Sequence, residues 1–165
     1  MRRVLVAYAT KMGGTAGIAE VIAETLRGRG LGVTLTEAGG VPERETFAAA
    51  VVGSALYLGR WRASAVRLLQ RLARQSDVQI WAFHSGPLGD DDHETPQSPP
   101  SKVAALIEQL GAEDVVTFGG RLPEDASGFI ASKMAKGGQA GDWRNLDLVA
   151  AWADHIADEL GDPQG

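Results

Sequence analysis

The chain has 165 residues, 16 basic and 21 acidic side chains, a formal net charge of -5 and no cysteine. That length suits one domain with a full core, the mild negative charge argues against general nucleic-acid binding, and without Cys neither disulfides nor thiol chemistry are available. No apolar run approaches the ~20 residues of a membrane helix and no signal peptide is visible, so a cytoplasmic protein is expected, with the excess of arginine (12) over lysine (4) hinting at a GC-rich bacterial genome.

The chain opens with an apolar strand, Val4-Leu5-Val6-Ala7-Tyr8-Ala9, which runs into Thr10-Lys11-Met12-Gly13-Gly14-Thr15. Behind this loop Ile18, Val21, Ile22 and Leu26 fall on one helical face. Gly28, Gly30 and Gly32 mark the helix end, and Val33–Thr36 alternates as a short strand. Gly39, Gly40 and Pro42 make a loop. Phe47–Ala55 reads as a strand apolar on both faces, as parallel strands covered by two helix layers are. Leu56–Arg62 reads as a loop, and Ala65, Leu68, Leu69 and Leu72 as an amphipathic helix. Val78–Phe83 is the next strand, and His84–Pro100 a long polar loop. Val103, Leu106, Ile107 and Leu110 give a helical face closed by Gly111, and Asp114–Gly119 is the last strand. Ala126–Lys136 is expected to be a short helix ended by Gly137-Gly138. Asp142 is a good N-cap for a final helix whose apolar stripe is Leu146, Val149, Ala150, Ala153, Ile156 and Leu160.

Strands alternating with helices predict a doubly wound α/β protein. Right-handed crossovers bury the strands between two helix layers. The expected fold is a three-layer α-β-α sandwich around a five-stranded parallel sheet of order 2-1-3-4-5. No repeat or linker interrupts it, so residues 1–165 are expected to form a single domain. The ligand crevice then lies at the carboxyl ends of strands 1 and 3, where the strand order reverses.

The first loop sits at that place. A helix N-terminus there offers unpartnered N–H groups and partial positive charge, which together bind phosphate. Gly13 and Gly14 permit close backbone approach, and Thr10 and Thr15 bring hydroxyls. No Lys follows the glycines, so this is not a nucleoside triphosphate loop. Gly-x-Gly-x-x-Gly is absent, so it is not a dinucleotide loop. The absence of an acidic residue after the strand argues against a magnesium-dependent phospho-receiver. The loop resembles the mononucleotide loop of flavodoxins, Ser/Thr-x-Thr-Gly-x-Thr, with Met12 in place of the central hydroxyl residue.

Two more loops flank it. After the third strand come Ala55, Leu56, Tyr57, Leu58, Gly59, Arg60 and Trp61. Tyr57 and Trp61 can stack on a flat flavin ring, an arrangement that disfavours extra negative charge on it. Gly59 can permit a peptide flip toward the flavin edge; alternatively the aromatics cap the core. After the fourth strand His84, Ser85, Gly86 and Pro87 suit hydrogen bonds to the polar edge of a flavin. His84 is either a proton shuttle or a hydrogen-bonded strand-end residue. Asp90-Asp91-Asp92-His93-Glu94 reads as a solvated loop rather than a metal site. Arg60, Arg67, Arg71 and Arg74 share helical spacing, with Arg62 close by. They are read as a solvated face, or as a surface for carboxylates of a substrate or an acidic redox partner.

Over residues 3 to about 160 the chain resembles flavodoxin-domain proteins, nearest the menaquinone-dependent protoporphyrinogen dehydrogenase type. Thr10–Thr15, Gly53–Gly59, Glu94-Thr95-Pro96-Gln97 and the Asp142-Trp143 before Trp152-Ala153 carry that resemblance. It implies FMN as cofactor, with Thr10, Lys11, Gly13, Gly14 and Thr15 around the phosphate. The function expected is an FMN-binding redox protein, either an electron carrier or a flavin-dependent oxidoreductase, with an unidentified redox partner or small-molecule substrate. No side chain is required as a catalytic acid or base, because the flavin carries the chemistry. A flavin or deazaflavin carrier without turnover is the alternative, and a domain that has lost its cofactor, favoured by Met12, is a third.

Overall fold

A computed structural model describes residues 3–10, 14–75, 77–86, 98–119, 121–122, 141–142 and 146–161. The elements are β1 (Arg3–Ala9), α1 (Gly14–Gly28), β2 (Gly32–Glu37), a 3-10 turn (Ala38–Gly40), β3 (Ala49–Tyr57) and β4 (Arg60–Trp61). Then follow α2 (Ala63–Leu72), β5 (Gln79–Ser85), α3 (Ser101–Leu110), β6 (Val116–Phe118), β7 (Arg121–Leu122), β8 (Gly141–Asp142) and α4 (Leu146–Gly161).

The main sheet runs β2-β1-β3-β5-β6, all parallel, which is the order and the three-layer arrangement expected from the sequence. Side chains alternate across it with period two. One face carries Val4, Val6, Val51, Trp81 and Phe83 under α1 and α4. The other carries Leu5, Ala7, Ala50, Val52, Ile80 and Ala82 under α2 and α3. Each helix meets its face with its predicted stripe: Ile18, Ile22 and Leu26 of α1, Leu68, Leu69 and Leu72 of α2, Val149, Ala153, Ile156 and Leu160 of α4. Gly111 closes α3 with φ 66°, the left-handed geometry that ends helices. Arg29, past the end of α1, bonds Asp158 and Asp154 of α4. These bonds raise its pKa further above the ordinary range.

Several boundaries differ from the sequence reading, each for a tertiary reason. The third strand extends through Leu56 and Tyr57, and Arg60-Trp61 folds back antiparallel on it with Leu56↔Trp61 and Tyr57↔Arg60 paired. The predicted loop is therefore a two-residue hairpin turn. His84 and Ser85 belong to β5 rather than to the following loop. Asp142 pairs with Arg121 in a separate β7-β8 ribbon, and α4 begins at Leu146. Leu146, placed in the apolar stripe by spacing, is exposed. The expected helix at Ala126–Lys136 and the acidic run Asp90–Glu94 lie outside the described residues.

The arginine stripe also dissolves. Arg60 lies on β4 and Arg74 beyond α2, so the four do not share one helical face. Arg71 donates to the carbonyls of Val41 (3.0 Å) and Pro42 (2.6 Å), tying α2 to the connection between β2 and β3. Arg67 remains exposed. Arg71→Met is expected to cost about 1 kcal/mol through the lost carbonyl bonds, whereas Arg67→Met should stay within about 0.5 kcal/mol of the parent. Urea unfolding of the two variants checks this; equal effects would mean that the carbonyl bonds contribute nothing.

Candidate functional site

The carboxyl ends of β1, β3 and β5 meet at one edge of the sheet, set by the register Ala9↔Ser54 and Ser54↔His84. The strand order reverses there between β1 and β3. β1 delivers the chain through Thr10, and α1 begins at Gly14. The first residues of α1, Gly14 and Thr15, are buried against the sheet. Their N–H groups belong to the unpaired first turn of a helix, whose dipole favours an anion at that end.

Thr15 and Ser85, predicted on separate loops, are brought together across 70 residues of sequence. Their hydroxyl oxygens lie 2.6 Å apart in a buried position. One hydroxyl donates to the other, and the pair keeps one O–H to give onward. Ser85, Tyr8 and Ala55 lie on the α1 face of the sheet edge by alternation. Gly86 follows Ser85 at φ 151°, and its N–H donates to the Phe118 carbonyl (3.0 Å). A Cβ at Gly86 would meet the Leu56 carbonyl oxygen at 3.1 Å, so β3 and β5 approach closely here only because a glycine stands between them.

The other face of the same edge is polar in a different way. Ser54, His84 and Thr117 are register neighbours on β3, β5 and β6. Ser54 Oγ accepts the Arg62 backbone N–H (2.9 Å). His84 has no exposed surface; its Nδ1 accepts from Trp61 Nε1 (3.0 Å) and its Nε2 lies 3.0 Å from Thr117 Oγ1. Trp61 is 6% exposed and packs into the core beneath the hairpin, edge-on to His84. Of the two readings given for the aromatics, capping the core is the arrangement that describes Trp61. Tyr57 is half-buried at the end of β3. Leu58, at the hairpin tip, is 65% exposed with φ 52°, next to Gly59 at φ 74°. Two successive positive φ angles are the signature of the tight hairpin turn that matches strand twist, and a leucine there carries strain.

Of the predicted site residues, Thr10, Gly14, Thr15, Ala55, Leu56, Tyr57, Leu58, Gly59, Ser85 and Gly86 gather at this edge. Trp61 and His84 stand behind it, in the wall. Lys11, Met12, Gly13 and Pro87 lie outside the described residues. Ser54 and Thr117 were not singled out from the sequence; a lone polar residue in an otherwise apolar strand was the signal for Ser54. Among the described residues one group of metal-type donors comes together elsewhere, Glu113, His155 and Glu159, all exposed, with His155 Nε2 3.8 and 3.7 Å from the two carboxylates. Exposed pairs at such distances contribute little. Among the described residues no helix is long and apolar enough to cross a membrane.

The model of the flavodoxin domain family matches residues 5–136. No curated protein matches the sequence. Solved structures share its fold at low identity. A flavodoxin from the domain Archaea is 15% identical with a TM-score of 0.66, over 96% of this chain and 99% of that one. The Fusobacterium nucleatum flavodoxin bound to flavin mononucleotide is 16% identical with a TM-score of 0.59, over 96% and 99%. Rubredoxin oxygen:oxidoreductase from Desulfovibrio gigas is 16% identical with a TM-score of 0.65; 98% of this chain matches it but spans only 36% of that protein.

Proposed function

The chain belongs to the flavodoxin domain family, and from that premise we propose that it is an FMN-binding redox protein that transfers electrons. The observation that carries this reading is the juxtaposition at the sheet edge. The N-terminus of α1 opens at the carboxyl end of β1, and the β3-β4 hairpin rises beside it across the point where strand order reverses. The donor set suits an anionic tail. Thr10, Gly14, Thr15, Ser85 and Gly86 bring backbone N–H groups and hydroxyls and no carboxylate. The hairpin suits a flat ring, since Leu58 is a large apolar side chain held in solvent on a strained backbone. Covering it with an apolar surface removes that exposure.

In this reading the α1 N-terminus with Thr10 and Thr15 holds the phosphate, together with Lys11, Met12, Gly13 and Gly14 by sequence. Tyr57, Leu58 and Gly59 line the ring, and Ser85 and Gly86, with Pro87 by sequence, face its polar edge. Bound there, FMN supplies the electron-transfer chemistry, and the chain supplies binding, orientation and electrostatic tuning. Residues 1–165 act as one such domain. The pattern Gly53–Gly59 with Glu94–Gln97 supports a finer reading, a dehydrogenase of the protoporphyrinogen type, which anaerobic oxidation of that substrate with a quinone acceptor tests directly.

The test of the cofactor is titration of the stripped protein with FMN and with riboflavin. FMN is expected to give a bound spectrum near ~450 nm and to bind at least about tenfold tighter than riboflavin, since charge-assisted bonds to the phosphate outweigh neutral ones. Protein that binds neither, and releases no flavin on denaturation as prepared, would overturn the reading.

A further inference from the structure

We propose that His84 is a positioning residue, which braces the β3-β4 hairpin against the sheet and so holds the ring-facing wall of the crevice in place. Its consequence for FMN rests on the function proposed above; the brace itself does not.

The hairpin cannot hold itself. It has two paired positions, Leu56↔Trp61 and Tyr57↔Arg60, and so short a ribbon has no stability of its own. Its turn places Leu58 at φ 52°. A non-glycine residue persists in that region only where its surroundings over-determine it. Two bonds at the returning arm do so, one buried and one part-buried. Ser54 Oγ takes the backbone N–H of Arg62, and His84 Nδ1 takes the indole N–H of Trp61.

Trp61 fixes the tautomer of His84. An indole nitrogen only donates, so Nδ1 carries no proton and accepts. The neutral ring then holds its proton on Nε2, which donates to Thr117 Oγ1 at 3.0 Å. The result is a directed relay, Trp61 to His84 to Thr117, that runs from β4 through β5 to β6. His84 and Ser54 are register neighbours, so both anchors lie at one level of the sheet, one residue from the end of β5. His84 acts on Tyr57, Leu58 and Gly59 through Trp61, whose strand pairs with theirs.

The test begins with the wild-type chain without ligand. A long-range ¹⁵N–¹H correlation spectrum is expected to show His84 with protonated Nε2 and bare Nδ1; the opposite tautomer would overturn the proposal. His84→Leu is expected to speed amide exchange at residues 58–61 and to weaken FMN binding, each about tenfold. His84→Asn, whose amide oxygen can accept from Trp61, should restore most of both. In a Trp61→Phe background His84→Leu should add nothing further, because the shared bond is already gone. Fully additive effects, or unchanged exchange in His84→Leu, would overturn the brace. If wild-type protein binds no FMN, the proposed function fails, while the tautomer and exchange results still decide the brace.

Discussion

Gly53→Ala is expected to destabilise the protein by about 3 kcal/mol, at the upper end of what overpacking costs. A methyl at Gly53 would fall inside the ring of Phe83, against Cζ, Cε1 and Cε2. The ring has no retreat. It is fully buried, with Phe118 at 6.0 Å and Trp152 at 5.9 Å between ring centroids. The backbone has little freedom either, because Gly53 sits mid-sheet, paired with Tyr8 and Phe83. A lowered urea midpoint at unchanged slope measures the loss. In a Phe83→Leu background the same substitution should cost less than half as much, since the atoms it meets are gone. A loss below about 0.5 kcal/mol, the range of unremarkable surface changes, would show that Phe83 does not lie over β3 as described. The consequence reaches the site, because β3 and β5 carry its walls.

Thr15→Val should weaken FMN binding about tenfold, the effect of removing one hydrogen bond to a charged group. It should also lower stability by about 1–2 kcal/mol, because Ser85 Oγ, buried with Thr15 as its partner at 2.6 Å, is left unpaired. The double variant Thr15→Val with Ser85→Ala separates the two roles. Removing both hydroxyls leaves no orphan, so stability should return close to that of the parent. FMN affinity should not return, since both hydroxyls placed toward the ligand, Thr15 at the phosphate and Ser85 at the ring edge, are missing. Recovery of affinity in the double variant would make both hydroxyls purely structural. Titration by flavin fluorescence and urea unfolding of the same three proteins give both numbers.

The two predictions depend on features of very different visibility. The strand and helix pattern is written locally. Val4–Ala9 and Phe47–Ala55 are apolar throughout because both faces of a parallel strand are covered, and Leu68, Leu69 and Leu72 recur at helical spacing because one side of α2 meets the sheet. The glycine-rich loop before Thr15 marks the crevice for the same reason, since its position after the first strand follows from strand order. The hairpin at Tyr57–Arg60 left no such trace. Tight turns of its kind are advertised by Asn-Gly or Asp-Gly, and here the first turn residue is Leu58. The arginine stripe failed because helical spacing was continued through a strand and past a helix end.

Read alone, the apolar periodicity and the alternation of strands with helices were enough for the layers, and the resemblance to flavodoxins for the sheet order. Burial of apolar side chains depends on spacing along one segment, and spacing is visible in a linear chain. Packing settled the rest: that Thr15 meets Ser85, that Trp61 turns inward to His84, and that Phe83 lies over Gly53. Each of those is a choice of partner between segments far apart in the chain. Buried polar groups and rings must find complementary neighbours in three dimensions, and no local pattern names them.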